Sequence, residues 1–188
     1  MRLFTAIDPS AEVLLRLERL MSVLRPEALI KWSPVDNLHV TIKFIGEWPE
    51  CRLEELNDAL NSLLPREPFE AQVKELGWFP NERSPRILWT GVHGGDPLLG
   101  LAHDTDECLA KLGIPKEDRR FTPHLTLARM KNPVPLRHLQ QRIQELQSTS
   151  LGKFLVARFF LFRSDPGSNA SIYRKVREYG FTSALAAP

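Results

Sequence analysis

Two short motifs in this chain pair a histidine with a threonine two residues later. The first, H-V-T at residues 39–41, lies in the run NLHVTIKFIG, and the second, H-L-T at residues 124–126, lies in FTPHLTLARM. Both runs alternate in the manner of a β-strand, in which residues two apart point to the same face. Each strand is therefore predicted to present an imidazole beside a hydroxyl, while its apolar residues enter a core.

Two imidazoles that face each other can act on one group from opposite sides. The usual histidine pKa of about 6.5 allows one ring to be neutral and the other protonated near pH 7. The neutral ring can deprotonate water and the protonated ring can protonate a leaving oxygen, each for about 10²–10⁴-fold in rate. Threonine hydroxyls can bind the non-bridging oxygens of a phosphate. We interpret His39, Thr41, His124 and Thr126 as a catalytic set suited to a phosphodiester, above all a strained cyclic one.

The elements that must position these residues follow from periodicity. Alternating or apolar runs predict strands, and apolar residues at helical spacing predict helices, the first with Ser10 as its N-cap. The predicted strands cover residues 2–7, 38–45, 69–79, 86–93, 123–130, 153–163 and 172–181. The predicted helices cover residues 11–24, 52–64, 97–112 and 135–147, and the tail 183–188 is expected to be frayed.

The order β-α-β-α-β-β-α-β-α-β-β contains two halves with a similar arrangement of elements, and each half has one His-x-Thr strand. This similarity predicts an α+β chain of two similar lobes, each a small antiparallel sheet backed by helices. We treat residues 1–188 as one domain. The sequence contains neither a GxGxxG run nor a Walker loop, so a nucleotide cofactor has no support.

Composition places the chain among ordinary globular proteins. Of its 188 residues 43% are hydrophobic and 26% are charged, and the formal net charge is only +2. The sequence has no apolar run of the roughly 18 residues that a membrane helix needs and no signal-peptide pattern, so we expect a cytoplasmic protein. Cys51 and Cys108 are expected to be free thiols, and the sequence has no Cys/His cluster with zinc spacing.

The paired motifs resemble those of a known family. HVTIKF (39–44) and HLTLAR (124–129), with the opening RLFTAID and the ending GSNASIYRKVREYGF, resemble the two-histidine (2H) phosphoesterases. The likeness is greatest to the LigT/ThpR branch, the RNA 2′,3′-cyclic phosphodiesterases, some of which are historically called 2′-5′ RNA ligases.

This resemblance implies a bilobal fold in which two pseudo-symmetric lobes line a central cleft, with the helices outside. It implies hydrolysis of RNA 2′,3′-cyclic phosphate ends to 2′-phosphomonoesters without metal or cofactor. The expected partners are RNA or nucleotides with such ends, and we expect the protein to be a monomer. His39 would be the proton donor and His124 the proton acceptor, although the residues alone leave this direction open. Thr41 and Thr126 would bind the phosphate.

Four further residues are candidates for substrate binding. Arg129 corresponds to the family's motif-adjacent arginine, but strict alternation places it on the strand face opposite His124. Lys43 shares the His39 face by the same rule and can line the cleft or lie solvated at the strand end. Phe44 can stack on a base but alternates with the core residues, and Tyr173 can contact the ligand or cover a hairpin.

Other functions remain open at this point. The same cleft can bind a nucleotide or an RNA end without turnover, which would make the protein a binding module. Ligation through a 2′-5′ linkage is a second alternative, as the reverse of hydrolysis. A metallohydrolase is the least favoured, because no acidic cluster accompanies the two motifs.

Overall fold

The computed structural model describes residues 1–147, 149–168 and 170–182. The tail predicted to be frayed lies outside the described residues. The strands are β1 Arg2–Ile7, β2 Lys31–Trp32, β3 Val40–Glu47, β4 Phe69–Phe79, β5 Ile87–His93, β6 His124–Arg129, β7 Ser150–Val156, β8 Arg158–Asp165 and β9 Ile172–Gly180. The helices are α1 Ala11–Leu24, α2 Leu53–Asn61, α3 Gly95–Ala110 and α4 Arg137–Glu145.

The strands form one curled antiparallel sheet in the order β7-β4-β5-β6-β3-β1-β8-β9, with β2 added beside β6. Each His-x-Thr strand is the innermost strand of one half of this order. The halves meet where β3 and β6 pair, and that junction has a single Cα pair, Val40 with Leu125. The α+β prediction with two similar halves is confirmed, and the sheets of the two lobes are continuous through this junction.

The main core lies between the helices and one face of the sheet. Helix α1 packs on β7 and α3 packs on β3 and β4, while α2 packs on α3. Ser10 begins α1 as predicted, because its Oγ accepts a hydrogen bond of 3.3 Å from the Val13 N–H and so satisfies a free donor of the first turn. No helix in the described ranges is both long and apolar enough to span a membrane.

The predicted strand 153–163 is wrong as a single element. The chain forms β7 on β4 in one half of the sheet, passes Ala157, and forms β8 on β1 in the other half. Nothing local marks this break, because Ala157 is compatible with a strand and the apolar residues continue on both sides. The split is decided by which distant strand each segment pairs with.

Candidate active site

All four motif side chains leave the same face of the sheet at the junction of its halves. Val40 and Leu125, which form the connecting pair, are fully buried on the core face. Residues on either side of a strand residue point to the opposite face. His39 and Thr41 therefore project from β3 and its entry, and His124 and Thr126 from β6, into the space on the far side of the core. The structure brings the four predicted residues together.

Each histidine is held in the same way by the backbone before it. His39 Nδ1 lies 2.8 Å from the carbonyl oxygen of Asn37, and His124 Nδ1 lies 2.7 Å from that of Thr122. A carbonyl oxygen only accepts, so Nδ1 carries the proton in both rings. Nε2 is then free to take a proton in the neutral ring or to give one in the charged ring.

The two rings differ in their electrostatic surroundings. Burial is the main influence on the pKa of both histidines and lowers each below 6.5. The hydrogen bond from each ring to its carbonyl opposes this effect, and the positive charge of Arg129 adds to it. The carboxylate of Asp8 also raises the pKa of His39, whereas charge on His124 lowers it. The site is thus nearly symmetric in geometry, and Asp8 makes its charge distribution unequal.

The hydroxyls of Thr41 and Thr126 are open to a ligand. Both residues are partly exposed, and neither hydroxyl makes a hydrogen bond within the part of the chain that the structure describes. The backbone of Thr126 is fixed separately, because its carbonyl oxygen accepts a hydrogen bond of 2.7 Å from Ser33 Oγ. The two hydroxyls can therefore donate to phosphate oxygens without breaking a bond within the protein.

A β-bulge interrupts each motif strand at the third residue after its histidine. Lys43 pairs with Thr5 and Thr41 with Ala6, so Ile42 has no partner on β1. In the other half, Ala128 pairs with Leu88 and Thr126 with Trp89, so Leu127 has no partner on β5. An extra residue reverses the alternation beyond it. The residue five positions after each histidine, Phe44 or Arg129, returns to the histidine face.

The bulge overturns the face that strict alternation predicts for Phe44, while substrate binding by Phe44 stays a prediction. Phe44 is 57% exposed, and its ring lies 6.0 Å from that of Phe4, which is itself 4.8 Å from the ring of His39. Phe44 therefore lies on the site face and does not pack in the main core. Arg129 is also brought to this face, where it is exposed and where its charge acts on both histidines.

The prediction that Lys43 shares the His39 face is wrong for the same reason. Its side chain is 2% exposed, and its Nζ lies 2.6 Å from Asp106 Oδ1 of α3 and donates to the carbonyl oxygen of Pro115 at 2.6 Å. Glu117 Oε1 lies 3.6 Å away. Lys43 thus joins β3 to α3 beneath the sheet and lies away from the candidate site.

Aromatic side chains border both histidines. Beside His39, the rings of Phe4 and Phe162 stack at 5.2 Å, and Tyr173 meets the histidine ring edge-on at 5.0 Å. The prediction that Tyr173 can reach the site therefore agrees with its position. Beside His124, Phe79 lies edge-on at 5.0 Å and stacks on Trp89 at 5.0 Å. These rings remove water from the imidazoles, which is the cause of their lowered pKa values.

Sequence reasoning missed the residues that orient and polarise the histidines. Asn37 and Thr122 act through backbone oxygens, which no side-chain pattern reveals. Asp8 directly follows β1, and the pairing of Ile7 with Val40 brings it beside His39. The only available signal was its position in RLFTAID at the end of a predicted strand.

Comparison with known proteins agrees with this geometry. The family model described as LigT like Phosphoesterase matches residues 7–89 and 93–173. An RNA 2′,3′-cyclic phosphodiesterase of Methanocaldococcus jannaschii is 32% identical over 179 residues, which cover 95% of this chain and 100% of that protein. One from Thermus thermophilus is 39% identical over 145 residues, 72% of this chain and 71% of that one.

Among solved structures, the protein TT0787 of Thermus thermophilus superposes with a TM-score of 0.82 at 30% identity, covering 96% of this chain and 98% of that chain. The fold and the paired His-x-Thr strands are those of a two-histidine phosphoesterase. The chain belongs to the LigT-like phosphoesterase family.

Proposed function

We propose that this protein hydrolyses RNA 2′,3′-cyclic phosphate ends to 2′-phosphomonoesters, as a single domain that acts as a monomer. The observation that carries the proposal is the convergence of His39 and His124, each with a free Nε2 and a neighbouring threonine hydroxyl, on one face of the sheet. The relatives named RNA 2′,3′-cyclic phosphodiesterases support the same activity.

The reaction follows from the two rings. His124 accepts a proton from water through Nε2 while the water oxygen forms a bond to phosphorus. The bond from phosphorus to the 3′ oxygen breaks, and His39 protonates that oxygen, which leaves a 2′-phosphate. Thr41 and Thr126 donate to the non-bridging oxygens as their charge grows, and Arg129 adds positive charge. Acid and base are both side chains of this chain, so no step requires a metal ion.

The proposal is tested directly by incubating the pure protein with an RNA that ends in a 2′,3′-cyclic phosphate in the presence of EDTA. We expect a 2′-phosphate as the product, identified by its separation from the 3′ isomer. A 3′-phosphate product would mean that the 2′ oxygen, and not the 3′ oxygen, is the leaving group. Tight binding of the RNA end without turnover would identify the protein as a binding module instead.

Asp8 supports the assignment of His39 as the proton donor. Its carboxylate stabilises the protonated form of that ring, and His124 has no such acidic neighbour among the influences on its pKa. Lys175 Nζ lies 2.5 Å from the Asp8 carboxylate and partly neutralises its charge. Among the influences on the two pKa values, Asp8 is the one carboxylate, and it acts on His39 alone, against the larger effect of burial.

Replacing Asp8 with asparagine tests this assignment. We expect kcat/KM at pH 7 to fall by about 2–5-fold, because fewer molecules then carry a proton on His39. If His39 were the base, its neutral form would already predominate at pH 7 and the rate would not fall. Lys175→Gln is the matched control, because it removes the partner of Asp8 and should not lower the rate in the same way.

The lowered pKa values also predict the pH dependence. Activity requires one protonated and one neutral imidazole, so the population of this form peaks between the two pKa values. Because burial lowers both, kcat/KM should follow a bell centred below pH 6.5 and decrease toward neutral pH. A bound phosphate stabilises the protonated rings, so the profile of kcat should lie at higher pH. A kcat/KM optimum above pH 7.5 would contradict this prediction.

A further inference from the structure

A pair of basic side chains lies beside the site, on the edge formed by β2. Lys31 of β2 is the Cα partner of Arg129 of β6, and residues directly opposite in an antiparallel pair share a face. The bulge at Leu127 turns Arg129 to the histidine face, so Lys31 lies on that face as well. The next pair, Trp32 with Ala128, points the other way, toward the core.

This cationic pair is not neutralised by the protein. Within residues 1–147, 149–168 and 170–182, neither Lys31 nor Arg129 forms an ion pair or a side-chain hydrogen bond, and both are exposed. The sequences of β2, β5 and β6 contain no Asp or Glu, and the segment 119–144 contains six Lys or Arg residues and no acidic residue. Like charges directly opposite each other in a sheet are unfavourable, and a bound anion removes that cost.

The position of Lys31 distinguishes it from the site of the reaction. Arg129 lies four ladder steps beyond His124, since Leu127 is unpaired, which is roughly 13 Å along the strand at about 3.3 Å per residue. The Arg129 side chain reaches back far enough for its charge to act on both imidazoles, whereas Lys31 is not among the charges that act on either ring, so Lys31 marks a second position beyond the reacting phosphate. A second phosphate, joined to the first by one nucleotide, fits the spacing better.

We propose that Lys31, with Arg129, binds the phosphodiester on the 5′ side of the cyclic end, so that the preferred substrate is an RNA chain and not a free cyclic mononucleotide. This inference rests on the proposed function for the reacting end. Binding by charge at a phosphate, without contacts to base edges, makes the subsite independent of sequence. Arg86 and Lys131 continue the positive surface beyond it, since both are exposed and Arg86 Nη1 donates to the Lys131 carbonyl oxygen at 3.1 Å.

The test compares two dinucleotides that each end in a 2′-phosphate, one with a normal phosphodiester and one with an uncharged methylphosphonate linkage. Dissociation constants are measured for the natural protein, Lys31→Gln, Lys31→Arg and Lys111→Gln. We expect the natural protein to bind the charged linkage about 5–10-fold more tightly. Lys31→Gln should lose this preference and Lys31→Arg should keep it. Lys111 is the control, an exposed lysine at the end of α3.

A preference that survives in Lys31→Gln, or that is absent from the natural protein, overturns the inference. Turnover of the corresponding cyclic ends is measured in parallel. Hydrolysis without a linkage preference rejects the subsite and leaves the proposed activity intact. A linkage preference without hydrolysis rejects the activity and leaves the subsite intact. Since Lys31 is exposed and its side chain makes no hydrogen bond or ion pair among the described residues, its variants should unfold at the same temperature as the natural protein.

Discussion

Replacing either histidine with alanine is expected to lower kcat on a 2′,3′-cyclic RNA end by about 10²–10⁴-fold, because each ring performs one proton transfer. The measurement is the single-turnover rate at the pH optimum, with saturating RNA. The double variant should be little slower than the slower single variant, because acid and base act in one step. Both single variants should retain the thermal unfolding midpoint to within a few degrees, which separates lost chemistry from lost folding.

A substrate with sulfur in place of the 3′ oxygen assigns the direction of proton transfer. A thiol has a pKa of about 8.5, so a thiolate leaves without protonation. His39→Ala should therefore recover most of its activity on the sulfur substrate, while His124→Ala should remain slow. The reverse pattern would make His39 the base. Full activity of both variants on the natural substrate would remove the basis of the two-histidine mechanism.

The largest expected effect on stability is at Lys43. Replacing Asp106 with alanine leaves the Nζ of Lys43 buried without its closest carboxylate. Breaking a buried ion pair in this way costs about 3–5 kcal/mol, and we expect the lower end, about 3 kcal/mol, because Glu117 retains part of the attraction at 3.6 Å. The free energy of unfolding is measured by urea denaturation at pH 7.

Two further variants interpret that result. The double variant Lys43→Met with Asp106→Leu removes both charges and should recover most of the lost stability. Lys43→Met should leave kcat within about twofold of the natural value, because the residue joins β3 to α3 and does not face the site. A twofold change in rate corresponds to well under 1.4 kcal/mol in the activation free energy. A large loss of kcat in a folded Lys43→Met protein would indicate that Lys43 faces the site. That result would contradict the register of the β3 bulge.

The bulges are the clearest point at which strand alternation failed. The sequence rule assigns Lys43 to the His39 face and Arg129 to the opposite one, and the bulges at Ile42 and Leu127 reverse these two assignments. A signal was present in β6, where Leu127 and Ala128 are consecutive apolar residues in an otherwise alternating run. In β3 the same signal was hidden, because the buried residue after Ile42 is a lysine with its own ion pair.

Local order was readable because it depends on near neighbours. The boundaries of α1, β1 and β4 follow directly from periodicity and from caps and turns within a few residues. Strand β2 was missed, since two residues have no periodicity and its existence depends on pairing with β6. The division of 153–163 was missed for the same reason, because each part is defined by a partner strand far away in the chain.

The sequence alone predicted the two His-x-Thr strands, the α+β class and the chemistry that paired imidazoles and hydroxyls permit. These depend on residue type and on spacing along one strand. Only the tertiary structure decided that the strands meet at a single bridge, that Asp8 lies beside one imidazole and not the other, and that Arg129 and Lys31 share the histidine face. The physical reason is that pairing between distant strands sets the register, and a shift of one residue moves each side chain to the other face of the sheet.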